Sequence, residues 1–367
     1  MDAPLSHFAE LKDPRLPRTR RHLLTDIVLI AMAAILSGAE GWDDIERYGN
    51  AKQEWLKSFL ALPHGIPSHD TFNRVFQALE PVELEKHFLD WVNAIARRTQ
   101  GEVVAIDGKS LRGTAASEGK PLVHMVSAWA SANNLVLGQR KTDAKSNEIT
   151  AIPELLRVLE LTGTTVTIDA MGCQKSIAGQ IVEQKGDYVL AVKENQPSLL
   201  ADIKDSFQML IADAVDEQTD GGHGRVETRR CSVLADLSLI DNAQNWASLQ
   251  AIVRIESSRY HKATGKQENE TRYYITSLKP DAKRINRAIR QHWGIENKLH
   301  WVLDVAFGED LSRKRAGYAA QNFSVLNRIA LNLIRKDKST KGSVRGKRLQ
   351  AAWDDNFLWQ LLAEGKS

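Results

Sequence analysis

Two short runs of apolar and β-branched residues, Val103-Val104-Ala105-Ile106 and Thr165-Val166-Thr167-Ile168, each lead directly into an aspartate, Asp107 and Asp169. Runs of this length read as strands buried on both faces. The surrounding pattern predicts further strands at 124–130, 135–139 and 188–192, with helices at 148–161 and 176–184. Three strands followed by alternating helix and strand specify an α/β fold, a mixed sheet flanked by helices. Ligand sites in such sheets sit beyond the carboxyl ends of strands, where both aspartates are expected. Either aspartate alone also fits a turn, Asp107-Gly108 especially. The pair is what suggests a hard cation, because Mg²⁺ takes carboxylate and phosphate oxygens.

The flanks differ from this middle. The first 96 residues read as helical: 23–36, stopping near Gly38; 42–62; a short helix capped by Ser68 and running to Leu79; and a fourth from Pro81 to about Arg98. Short helices with Arg74 on a later one suit a helix-turn-helix DNA reader, and a plain helical bundle fits equally well. After a helix at 199–212, strand-like runs at 225–234, 249–255 and 271–278 mark a β-rich insertion at about 195–280. A long helix is expected from near Asp281 through Glu296 to about Leu303, and another from beyond Ala316 to Ile334. The organisation is thus a helical N-terminal domain over 1–96, a core over 97–335 interrupted by the insertion, and a basic tail over 336–367.

A third carboxylate should come from an element crossing the strand ends. Glu296 shares a helical stripe with Ile289, Trp293, His300 and Leu303, at offsets of −7, −3, +4 and +7. An unpaired glutamate on a core-facing stripe is costly to bury unless it meets a cation. His292, Glu296 and His300 invite a zinc reading, but eight helical residues rise ~12 Å, too far for two ligands with ~2 Å bonds to one ion.

Charge distribution says more than the net charge of +3. Lys12, Arg15, Arg18, Arg20 and Arg21 crowd one end; Arg335, Lys336, Lys338, Lys341, Arg345, Lys347 and Arg348 face only Asp337 at the other. Two basic ends suit a polyanionic partner. Lys109 and Arg112, just after Asp107, are placed to touch phosphate oxygens. Cys173 and Cys231 form no zinc or disulfide motif. The most apolar stretch, 23–36, contains Thr25 and Asp26 and falls short of the ~20 residues of a membrane span. No membrane association is expected, and the cytoplasm of a bacterium is the expected location.

Several segments resemble one family. Val103-Val104-Ala105-Ile106-Asp107-Gly108-Lys109-Ser110-Leu111-Arg112-Gly113 is similar to the first-aspartate block of the H-repeat-associated insertion-sequence transposases. Lys145-Ser146-Asn147-Glu148-Ile149-Thr150-Ala151-Ile152-Pro153, Ile168-Asp169-Ala170-Met171-Gly172-Cys173-Gln174 and Gly222-His223-Gly224-Arg225-Val226-Glu227 resemble the same family. The most specific match is His292-Trp293-Gly294-Ile295-Glu296-Asn297-Lys298-Leu299-His300-Trp301. The resemblance runs in order along essentially the whole chain. It implies a ribonuclease-H-like core in which Asp107, Asp169 and Glu296 form a catalytic Asp-Asp-Glu metal triad holding two Mg²⁺ ions, with Mn²⁺ able to substitute. It further implies cleavage of the element's DNA ends and their transfer to target DNA. Both ends must be held together, so a homodimer on DNA is expected, and the basic arm, the helix carrying Arg74 and the cations near the acids make Arg20, Arg21, Arg74, Lys109, Arg112, Arg290 and Lys298 the expected DNA contacts. The wider superfamily carries Tyr, Arg and Lys around the last acid, where this chain has Ile289, His292 and Leu303, so Arg290, Lys298 or Arg313 would have to grip phosphate instead. A ribonuclease-H-like nuclease without strand transfer and an inactive DNA-binding remnant are the alternatives.

Overall fold

A computed structural model describes residues 7–96, 101–114, 122–142, 148–222 and 224–363. The N-terminal part is helical: α1 (Leu24–Leu36), α2 (Trp42–Ala51), α3 (Gln53–Leu56), α4 (His69–Ala78) and α5 (Pro81–Ile95). The expected helix over 42–62 breaks at Lys52 and ends at Leu56. Leu62 takes a left-handed φ of 41°, and its N–H donates to buried Asp26 at 3.0 Å. That long-range bond captures the chain where helical pattern alone would have continued. Ser68 caps α4 by accepting from the Thr71 N–H, and Pro81 opens α5, where a missing N–H costs nothing. This last helix ends at Ile95, with Ala96 extended, short of the expected end near Arg98; residues 97–100 lie outside the described residues.

Strands β1 (Val103–Leu111), β2 (Val123–Ala130) and β3 (Leu135–Lys141) are followed by α6 (Glu148–Val158), β4 (Thr165–Ile168), α7 (Lys175–Glu183), β5 (Asp187–Val192) and α8 (Pro197–Met209). Four long strands come next: β6 (Ala214–Gly222), β7 (Arg225–Leu234), β8 (Ala251–His261) and β9 (Gln267–Thr276). The described residues form one nine-stranded sheet in the order β3-β2-β1-β4-β5-β9-β8-β7-β6. β1, β4 and β5 are parallel, with β2 and β3 antiparallel outside β1, which is the ribonuclease-H-like arrangement. The inserted strands are continuous with this sheet, because β9 pairs with β5. β6 gave no strand signal: its Asp216, Glu217, Thr219 and Asp220 carry no apolar alternation, and backbone pairing with β7 makes it a strand.

Strand alternation sends successive side chains to opposite faces. Val104, Ile106, Val166 and Ile168 pack with Ile152 and Leu155 of α6 and Ile177 and Ile181 of α7. Val103 and Val189 pack on the other face against Ile285, Ala288 and Ile289, which belong to α9 (Ala282–His292). The helix expected from 281 to 303 is not one α-helix. Asp281 caps α9, a π-helical turn follows over Ile295–His300, and α10 (Trp301–Phe307) completes the crossing.

Helix α11 (Ala319–Lys336) joins the two ends of the chain. It shares a core with α1, α4 and α5; Trp42 stacks on Phe76 and meets Phe323 edge-on, and Asn322 donates to the carbonyls of Phe76 and Leu79. The basic C-terminal stretch is not a free arm. It forms α12 (Val344–Trp353) and α13 (Asp355–Ala363). Lys347 is buried on Asp337 at 2.6 Å, and Arg348 donates to the carbonyls of Ile35 and Ala306 at a helix end. These two cations satisfy buried helix-end carbonyls and an acid rather than a polyanion, as orphaned helix-end carbonyls require.

Candidate active site

Asp107 is the fifth residue of a nine-residue strand, so it is neither in a turn nor at the end of β1. Its parallel neighbour β4 stops at Ile168, opposite Ile106. Asp107 therefore emerges where the adjacent strand runs out, on the face of Val103 and Ala105 that α9 and the π turn cover. Asp169 follows that strand end and accepts the Met171 N–H at 3.1 Å, capping a short turn. The wider π turn resets the helical register. Ile295 and Leu299 are buried while Glu296 is exposed, so the expected core-facing stripe through Glu296 is corrected. Glu296 instead borders a cleft of about 200 Å³ together with Asp107 and Asp169.

Burial and neighbouring acids dominate the electrostatics. The Asp107 carboxyl is pushed up to about 7, first by burial and then by the charge of Glu148, with smaller contributions from Asp169 and Glu296. Asp169 is also raised, by burial and again by Glu148. His300 Nδ1 stands 3.4 Å from Asp107 Oδ2, an ion-pair distance. Burial nevertheless lowers His300 to about 3, so the ring is neutral and supplies no counter-charge. His292 accepts or donates to the Thr167 hydroxyl at 3.0 Å and is lowered to about 4 by burial.

Lys109 is the clearest correction among the expected DNA contacts. Its ammonium is buried, 2.5 Å from Asp304 and 2.7 Å from Asp310, and so is already satisfied. Arg112 projects into solvent beyond Asp310. Arg20 donates to the Arg15 carbonyl and Arg74 to the Asp70 carbonyl, both from exposed positions; Arg21 is exposed. Arg290 pairs with Asp220, and Lys298 donates to Asn134 at 3.0 Å. Arg290 and Lys298 line a groove of about 730 Å³ together with Arg229, Arg259, Arg272 and Arg287. The groove meets the carboxylate cleft at Arg272, Tyr274, Ile289 and Trp293, where the Arg272 guanidinium stacks on Trp293 at 4.5 Å. Arg20, Arg21 and Arg74 line neither. Of the superfamily positions, Ile289 and Leu303 are buried apolar residues.

Two family models match in tandem. "Transposase DDE domain" covers residues 98–333, and "DDE_Tnp_1-associated" covers 5–92. The chain is a DDE-type transposase. Its relatives include "Putative transposase YncI" of Escherichia coli O157:H7, 41% identical over 98% of this chain and 94% of that one. The "H repeat-associated putative transposase YhhI" of Escherichia coli (strain K12) is 40% identical over 98% and 97%. A solved piggyBac transposase synaptic complex with hairpin DNA aligns loosely with 97% of this transposase and 75% of its own chain, at 13% identity and a TM-score of 0.44.

Sequence reasoning on this transposase missed Glu148 as a neighbour of both aspartates, and missed Arg272. Glu148 stands in the family-like segment 145–153, and that segment was its available signal. The donor set suits a hard cation: carboxylate oxygens, with neighbouring acids raising Asp107 and Asp169, a repulsion that a divalent ion relieves. Among the described residues no three histidine, cysteine or acidic side chains close on one point as they stand, so clasping an ion requires side-chain rotation, for which exposed Glu296 is free.

Proposed function

We propose that this transposase cleaves the ends of its own element and joins them to target DNA through Asp107, Asp169 and Glu296. The observation that carries the reading is the meeting of three carboxylates, from mid-β1, the end of β4 and the π turn, in one cleft that opens into an arginine-rich groove. A pair of Mg²⁺ ions, or Mn²⁺ in their place, supplies nucleophile activation and leaving-oxygen stabilisation when bound. Asp107 and Asp169 present ligand oxygens from rigid strand positions, and Glu296 closes on them from the helical crossing. Arg272, over the Trp293 ring and hydrogen-bonded to Glu270, lines both cleft and groove and orients the phosphate backbone. Arg229, Arg259, Arg287, Arg290 and Lys298 hold the strand beyond it: Arg229 and Arg259 share Glu227 and Arg290 pairs with Asp220, so the groove's cations outnumber the acids beside them.

The N-terminal helices carry part of the end recognition, through exposed Arg20, Arg21 and Arg74. Two ends must be held together, so the working species on DNA is a homodimer. No helix of the described residues is long and apolar enough to cross a membrane, and we place the protein in the bacterial cytoplasm with its DNA. The test is incubation with the element's own flanking DNA and Mg²⁺, with products mapped to the nucleotide. Joined products support transposition. Cut ends without joining reduce the activity to a nuclease, and binding without cutting leaves an inactive remnant.

A further inference from the structure

Glu148 opens α6, and its carboxylate lies directly on the backbone beside Asp107. A Cβ placed on Gly108 would fall 1.9 Å from Glu148 Oε1 and 2.4 Å from His124 Nε2. Only glycine leaves room for this pair. His124 in turn bridges two partners, Nε2 to Glu148 Oε1 at 2.8 Å and Nδ1 to Ser110 Oγ at 2.8 Å. A neutral ring satisfies both: Nε2–H donates to the carboxylate, and Nδ1 accepts the Ser110 hydroxyl. The chain Ser110–His124–Glu148 thus fixes one carboxylate oxygen, and among the described residues the other, Oε2, has no hydrogen-bond partner. A carboxylate whose only purpose is to start a helix needs no such support, whereas outer-shell hydrogen bonds of this kind are what orient metal-ligating groups. Glu148 is also the acid whose charge weighs most on Asp107 and Asp169, ahead of Glu296 and of the aspartates on one another.

We propose that Glu148 is a fourth carboxylate of the cation site, oriented by His124 and Ser110. This rests on the reading of Asp107 and Asp169 as cation ligands. The four acids then come from four separate elements: β1, α6, the end of β4 and the π turn. Glu148 is held by His124 at 2.8 Å.

The test is calorimetric titration of Mn²⁺ alone into the full-length protein without DNA, for wild type, Glu148→Gln, Glu148→Asp and Asp107→Asn. Glu148→Gln keeps an oxygen for His124 but loses the charge; it is expected to weaken Mn²⁺ at least about tenfold, the usual cost of disturbing a metal's immediate surroundings. Glu148→Asp keeps the charge at the helix start and withdraws the oxygens by one methylene; it is expected to lose affinity as well, and it decides the matter if Glu148→Gln does not fold. Wild-type Mn²⁺ affinity in both variants, with lower melting temperatures, would make Glu148 a structural helix-start residue and overturn the proposal. Asp107→Asn separates this from the parent reading. If it abolishes Mn²⁺ binding while the Glu148 variants bind normally, only the role of Glu148 fails; if it too binds normally, the cation site itself is misplaced.

Discussion

Replacing Asp107 by asparagine should make the cation-free protein more stable, by an amount that depends on pH. Burial and the charges of Glu148, Asp169 and Glu296 lift the Asp107 carboxyl from 3.8 to about 7. At about 1.4 kcal/mol per tenfold change in a proton equilibrium, ionising this group in the folded protein costs about 4 kcal/mol. The folded state binds the proton more tightly than the unfolded chain. Between about pH 4 and pH 7 it therefore carries more protons, stability falls as pH rises through that window, and the whole cost is present above about pH 7. Asparagine never ionises and escapes it. With an unfolding entropy of roughly 2 cal/mol/K per residue, 1 kcal/mol moves the melting temperature of a chain this long by roughly 1.3 °C, so the ceiling is about 5 °C. Scanning calorimetry with a chelator should show Asp107→Asn melting up to about 5 °C above wild type at pH 8, with the gap below half of that at pH 5. Added Mg²⁺ should then raise wild type by roughly 3 °C at a hundred times its dissociation constant, and the variant much less. An Asp107→Asn protein that melts at or below wild type at pH 8 would refute the electrostatic account.

Asp107→Ala, Asp169→Ala and Glu296→Ala should each abolish DNA cleavage with DNA binding retained; gel-shift and cleavage assays on one DNA end check both, and normal cutting by Glu296→Ala would remove it from the site. Neutralising Arg20, Arg21 and Arg74 should flatten the salt dependence of end binding by roughly 0.9 in log K against log salt for each phosphate that is no longer neutralised, measured by fluorescence anisotropy across salt; an unchanged slope would place end recognition elsewhere. Lys109→Met leaves Asp304 and Asp310 facing each other without their buried ammonium and should cost about 3 kcal/mol in denaturant unfolding. Gly108→Ala drives a methyl into Glu148 and His124; it should weaken Mn²⁺ in the same titration and lower stability by about 1–3 kcal/mol.

Much of this protein is written locally. The runs ending at Ile106 and Ile168, the cap at Ser68 and the proline at 81 each act over a few residues, so strand, helix start and the place of Asp169 follow from the sequence itself. What the tertiary structure decided depends on residues far apart in the chain. The expected helix 42–62 ends at Leu56, and the chain beyond it is tied by the Leu62 N–H to Asp26, 36 residues away. The polar strand β6 exists because β7 offers it a hydrogen-bonding edge. Lys109 looks like a phosphate contact beside Asp107 until Asp304 and Asp310 arrive from nearly two hundred residues away and neutralise it. A π turn has no residue pattern of its own, so an α-helical wheel puts Glu296 toward the core while the wider turn presents it to the cleft. Glu148 acquires its meaning only when α6 packs on Gly108. Periodicity reports which face of an element is apolar; it does not report which charges meet across elements, and at this site that meeting is the chemistry.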